Sequence, residues 1–134
     1  KENNMLKVKV THEYELDHTL LTDILSTALT GNDLWTVDWD PKDSKAMKAN
    51  HPEITDWCIE DVLAGLLEDG KTFILIDNEE GKEHTVTAEM FANGIALYEK
   101  DHGTIQSIME DADFDLWDGD AVLQLAVFGE VIYG

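Results

Sequence analysis

KTFILIDNEEGKEHTVTAEMFANGIALYEK, residues 71–100, decides the fold. Lys71–Asp77 is short and apolar on both faces at Phe73, Ile74, Leu75 and Ile76, which predicts a central strand covered on both sides. Asn78-Glu79-Glu80-Gly81 supplies a hairpin turn, and residues 82–87 return as a more polar strand. Thr87 then caps a helix over 88–100 with a core face of Met90, Phe91, Gly94, Ile95, Leu97 and Tyr98. His102-Gly103 breaks that helix. A hairpin running straight into an amphipathic helix is an α+β signature.

Towards the N-terminus, residues 5–16 read as a strand with Leu6, Val8 and Val10 on one face. Asp17 or Thr19 can cap a helix whose stripe is Leu20, Leu21, Ile24, Leu25, Ala28 and Leu29, with Gly31 as its stop. LWTVDWD at 34–40 alternates, so Trp35, Val37 and Trp39 face a core until Pro41 ends the strand. Lys42, Lys45 and Lys48 follow at three-residue spacing; in a helix they would form one small basic ridge, but the segment reads rather as a solvated loop. A further helix is expected over 54–68, with Pro52 near its start, Thr55 as N-cap, and Trp57 and Cys58 on its apolar stripe.

Towards the C-terminus, residues 104–110 read as a short helix. DADFDLWDGD at 111–120 is an acidic turn around Phe114 and Trp117, and Asp118 is placed to cap a buried apolar helix beyond it. The whole chain, 1–134, is therefore expected to be a single acidic α+β domain. Its sheet would be small, mixed or antiparallel, with about four strands including the 71–87 hairpin, packed by three main helices.

Charge is the outlying property. Asp and Glu number 29 against nine basic residues, all Lys, for a formal net charge of −20. Without Arg there is no bidentate fork for phosphate. That balance argues against direct contact with nucleic acid or an anionic membrane and favours a basic protein partner. Four Trp and a 43 % hydrophobic composition argue against disorder. Cys58 is the only cysteine, so neither an intrachain disulfide nor a cysteine-based zinc site is expected. KENNMLKVKV lacks the apolar run of a signal peptide, and no later segment reaches membrane-spanning length, so a cytoplasmic location in a bacterial host is expected.

Motifs with chemistry are missing. No GxxxxGK[ST], GxGxxG or GxSxG occurs, and the five His form no HExxH pair. Read as a calcium loop from Asp111, the sixth position is Leu116 rather than Gly and the twelfth Val122 rather than Glu, which excludes an EF-hand. Cys58 lies near His51 in sequence but is expected to face the core. We expect no enzyme, no cofactor and no resident metal.

FILIDNEEGKEHTVTAEMFANGIALYE resembles a segment of small acidic proteins encoded by phages, plasmids and integrated elements of Gram-positive bacteria. GDAVLQLAVFGEVIYG is similar to their ending, and Asp23–Trp35 echoes their first helix and aromatic strand. Residues 1–16 and 41–53 are not covered. The resemblance carries over no activity and no functional residue. It implies a mobile-element protein that acts against or alongside host machinery.

With the charge, it points to an interaction protein whose acids imitate a phosphate backbone and inhibit a host nucleic-acid-binding defence enzyme, of anti-CRISPR or anti-restriction type. Duplex DNA carries about one charge per 1.7 Å of axis, so twenty charges on one side would match roughly 34 Å of duplex. Asp111, Asp113 and Asp115 alternate with Ala112 and Phe114 and, if extended, would project from one side about 6.5–7 Å apart. Glu110, Asp118 and Asp120 would prolong that row. The alternatives are a small acidic accessory or structural domain whose charge serves solubility, or a weak cation-binding module.

Overall fold

The computed structural model describes residues 15–30 and 33–133. Its elements are α1 (His18–Leu29), β1 (Trp35–Asp38), α2 (Pro41–Ala49), α3 (Ile59–Glu68), β2 (Phe73–Asp77), β3 (Lys82–Val86), α4 (Ala88–His102), α5 (Ile105–Glu110) and α6 (Leu116–Phe128). The class is α+β, with six helices and a three-stranded antiparallel sheet ordered β1-β2-β3 among the described residues. The strand expected over 5–16 lies outside those residues except for Glu15 and Leu16, which belong to no strand. Gly31 lies outside them too.

The hairpin forms as read. Phe73 pairs with Val86 and Asp77 with Lys82, and β1 adds to the far edge of β2 with Trp35 opposite Asp77. Only one face of β2 is fully buried, contrary to expectation: Phe73, Leu75 and Asp77 are inside, whereas Ile74 and Ile76 are half-exposed. Asp77 tolerates full burial because its carboxylate accepts from the Glu79 and Glu80 N–H groups and from the Tyr133 hydroxyl.

Helix ends follow local chemistry. Asp17 accepts from Leu20 N–H to start α1, and Thr87 accepts from Met90 N–H to start α4. The Lys42–Lys48 segment is a helix rather than a loop. Asp40 caps it, Pro41 sits in its first turn, and fully buried Met47 packs on Gly65 of α3. Its three Lys remain exposed on the solvent side. The next helix starts at Ile59, not near 54, because the Asp61 carboxylate accepts from Cys58 N–H and fixes Cys58 as the N-cap. Cys58 is therefore exposed and off the apolar stripe.

α6 is the hub. It packs most extensively against α4 and α1, and Ala121, Val122, Leu123 and Gln124 are all buried. Two glycines permit this closeness. A Cβ on Gly119 would lie 2.6 Å from Ala28 N, and one on Gly94 would lie 2.7 Å from Ala126 Cβ. Fully buried Gln124 fastens the segment after α6: its Oε1 accepts from Ile132 and Tyr133 N–H, and its Nε2 donates to Tyr133 O and Asp120.

Candidate functional site

The acidic turn lies between α5 and α6. The structure does not hold it in an extended row. Asp111 ends α5, Ala112 takes a left-handed φ of 58°, and Asp113 N–H returns to Ile108 O at 3.0 Å while Ala112 N–H returns to Met109 O. Those two bonds form a Schellman motif, which reverses the chain where alternation would have kept it straight. Glu110, Asp111, Asp113 and Asp115 are nevertheless all exposed.

Asp115, not Asp118, is the N-cap of α6. Its Oδ1 accepts from Asp118 N–H at 3.1 Å, and Asp118 Oδ2 accepts from Asp115 N–H at 2.9 Å. These reciprocal bonds make a capping box with carboxylates at both positions. Backbone donation from Asp118 holds the Asp115 carboxyl below the usual carboxylate range. Asp118 is 9 % exposed, and its other oxygen takes the buried Tyr98 hydroxyl. Burial and then the Asp118 charge push the Tyr98 pKa well above 10.

Asp120 is half-buried and is likewise committed to contacts within the fold. Its Oδ1 accepts from Trp35 Nε1 at 2.8 Å and its Oδ2 from Gln124 Nε2 at 2.6 Å. Thus four of the six residues nominated from sequence, Glu110, Asp111, Asp113 and Asp115, present charge to solvent. The other two, Asp118 and Asp120, hold the core together and are withdrawn from the surface row. Their partners Tyr98 and Trp35 lie 20 and 85 residues away in sequence, so no local pattern signals them.

Among the described residues, no ion pair reaches Glu110, Asp111, Asp113 or Asp115. The Lys pairs lie elsewhere: Lys71 meets Asp43 at 3.7 Å and Lys82 meets Glu80 at 3.9 Å. Both nitrogens of His18 meet carboxylate oxygens, of Glu68 at 2.6 Å and Asp61 at 3.0 Å, clamping α1 to α3. His51 likewise binds Asp69 at 2.9 Å and faces Glu53 at 3.5 Å, so its ring is not directed to Cys58. No group of three or more His, Cys, Asp or Glu among the described residues is placed to hold a metal ion. Nor is any described helix long and apolar enough to cross a membrane.

Beside the turn, a groove of about 480 Å³ runs between the C-terminal half of α4, α6 and the segment after it, walled by Leu97, His102, Trp117, Leu125 and Val131. Tyr98 stacks on His102 at 4.3 Å, and His102 meets Trp117 edge-on at 5.9 Å, so the aromatic wall continues into the core. Leu97, expected on the core face of its helix, and Trp117, expected at the centre of the acidic turn, are 39 % and 48 % exposed.

No family model, curated protein or solved structure matches the chain.

Proposed function

We propose that the protein is an interaction protein of mobile-element origin that binds and inhibits a host nucleic-acid-binding defence enzyme, of the anti-CRISPR or anti-restriction kind, through its acidic surface. The observation that carries this reading is the turn. Glu110, Asp111, Asp113 and Asp115 stand exposed and unpaired by Lys among the described residues, on a backbone fixed by caps at both ends. An unpaired acidic cluster on a chain of net charge −20 attracts a cationic channel and repels nucleic acid. The resemblance to small acidic phage and plasmid proteins supports the same context. Because the chain reverses at Ala112, the acids form a compact knob rather than a strand-like ladder, so the mimicry is of charge and not of phosphate spacing.

The test replaces Asp111, Asp113 and Asp115 together by Asn. Asn retains size and can still cap α6 at position 115. The variant keeps its fold and loses protection of phage or plasmid in a host carrying the targeted defence system. Full protection by a folded variant would leave the charge as a solubility device.

A further inference from the structure

Exposed apolar side chains are concentrated on this protein. Among the described residues, six large hydrophobics are markedly exposed, and all but Ile59 lie on α4, at the start of α6 or just after it: Leu97, Leu116, Trp117, Val131 and Ile132. Leu97, Trp117 and Val131 wall the same groove of about 480 Å³, a size within the roughly 300–1,000 Å³ of ligand-binding clefts. An open Trp in such a slot is what an interface anchor looks like before its partner arrives.

Charge selects the occupant. Asp101 and Glu130 border the groove, against Lys100 alone on the basic side apart from His102. At the Trp117 end the surface runs into exposed Asp115 and Asp113, two and four residues earlier in the chain. A second copy of a chain carrying −20 would bring like charge against like. A segment with Lys or Arg beside aliphatic or aromatic residues meets both parts of the surface at once.

We infer that the groove seats the apolar residues of a basic amphipathic segment of the partner while the acidic turn holds that segment's cations. This rests on the proposed inhibitory reading for the partner's basic character, but it adds an apolar contact that phosphate imitation lacks. Helix-in-groove recognition works in this way, with anchors on one face and charges beside it.

The probe is a synthetic peptide with Lys on one helical face and Leu and Phe on the other. A control keeps every Lys and replaces Leu and Phe by Ser. Fluorescence anisotropy against the full chain, at low and high salt, should show the amphipathic peptide binding more tightly than the control at both. Trp117→Ala should weaken it by about tenfold or more, with the salt slope unchanged. Val131→Ser, farther from the α6 cap, should act in the same direction and serves if Trp117→Ala fails to fold. Equal binding of the two peptides, no binding of either, or groove variants without effect would overturn the inference. So would a salt-stable dimer of the protein that Val131→Ser dissolves. The two proposals fail separately: if only the groove variants weaken binding and the Asp-to-Asn triple does not, the charge reading falls and the groove stands. The converse pattern removes the groove alone.

Discussion

The Tyr98 hydroxyl donates a 2.7 Å hydrogen bond to Asp118 Oδ1 inside the protein, joining the middle of α4 to the first turn of α6. That bond turns a surface-type residue into a core one. Tyr98→Phe should therefore cost about 1.5–3 kcal/mol, the range for hydrogen bonds to charged groups. Urea denaturation reads it directly. A loss under about 0.5 kcal/mol would mean that the capping box alone satisfies Asp118.

Ala112 gives a change in the opposite direction. Its φ of 58° is a conformation that L-residues with a Cβ avoid, at a position in a Schellman motif that glycine usually fills. Ala112→Gly should stabilise by about 0.5–1 kcal/mol, the relief of strain outweighing the extra freedom glycine gives the unfolded chain. A lower melting temperature would contradict this account of the turn.

His18 sets a pH dependence. Burial of its ring lowers the pKa, but hydrogen bonds to Glu68 and Asp61 more than offset this and leave it above 6.5. Since carboxylates only accept, both ring nitrogens carry protons in this arrangement. His51 is shifted the same way, chiefly by Asp69. Over this window the folded chain binds more protons than the unfolded one, so stability is greatest below about pH 6.5 and falls as pH rises through the raised folded values. Acid titration of the carboxylates bounds the effect at low pH. His18→Gln should flatten the decline across neutral pH in denaturation curves. An unchanged slope would assign the decline to His51 or to the general acidic repulsion.

Salt separates the two parts of the proposed interface. Charge contacts at the turn are screened over about 8 Å near physiological ionic strength, so affinity for a basic partner should drop steeply with added salt. The residual binding at high salt measures the groove. A complex wholly indifferent to salt would refute the role given to Asp111, Asp113 and Asp115.

The hairpin, α1 and α4 were legible because each pairs a hydrophobic period with a cap or turn residue. Asp17 with Leu21, Ile24 and Leu25 is one case, and Thr87 with Phe91, Ile95 and Tyr98 is another. α2 offers no hydrophobic stripe, because among its large side chains only Met47 is buried; the Asp40-Pro41 pair is its one local signal. Pro52 and Thr55 imitate a helix entry that the Cys58–Asp61 box provides further along, so the start of α3 is not legible from them. In the site, the exposed acids were readable from composition. The internal duties of Asp118 and Asp120 were not, because their donors come from α4 and β1 and composition treats every Asp alike. The groove was hidden for a related reason. Helical periodicity assigns Leu97 to the same face as Tyr98 without revealing that α6 covers only part of it.

The double clamp on the turn has a kinetic consequence. Between the Schellman bonds after α5 and the capping box before α6, the backbone of residues 111–115 is tied by hydrogen bonds at both ends. A partner docking at the proposed interface would then have less main chain to order, which lowers the entropic cost of association. Charges mounted on such a frame act mainly by drawing the partner in. Neutralising them should slow association more than it hastens dissociation, leaving residence time to the contacts made after arrival.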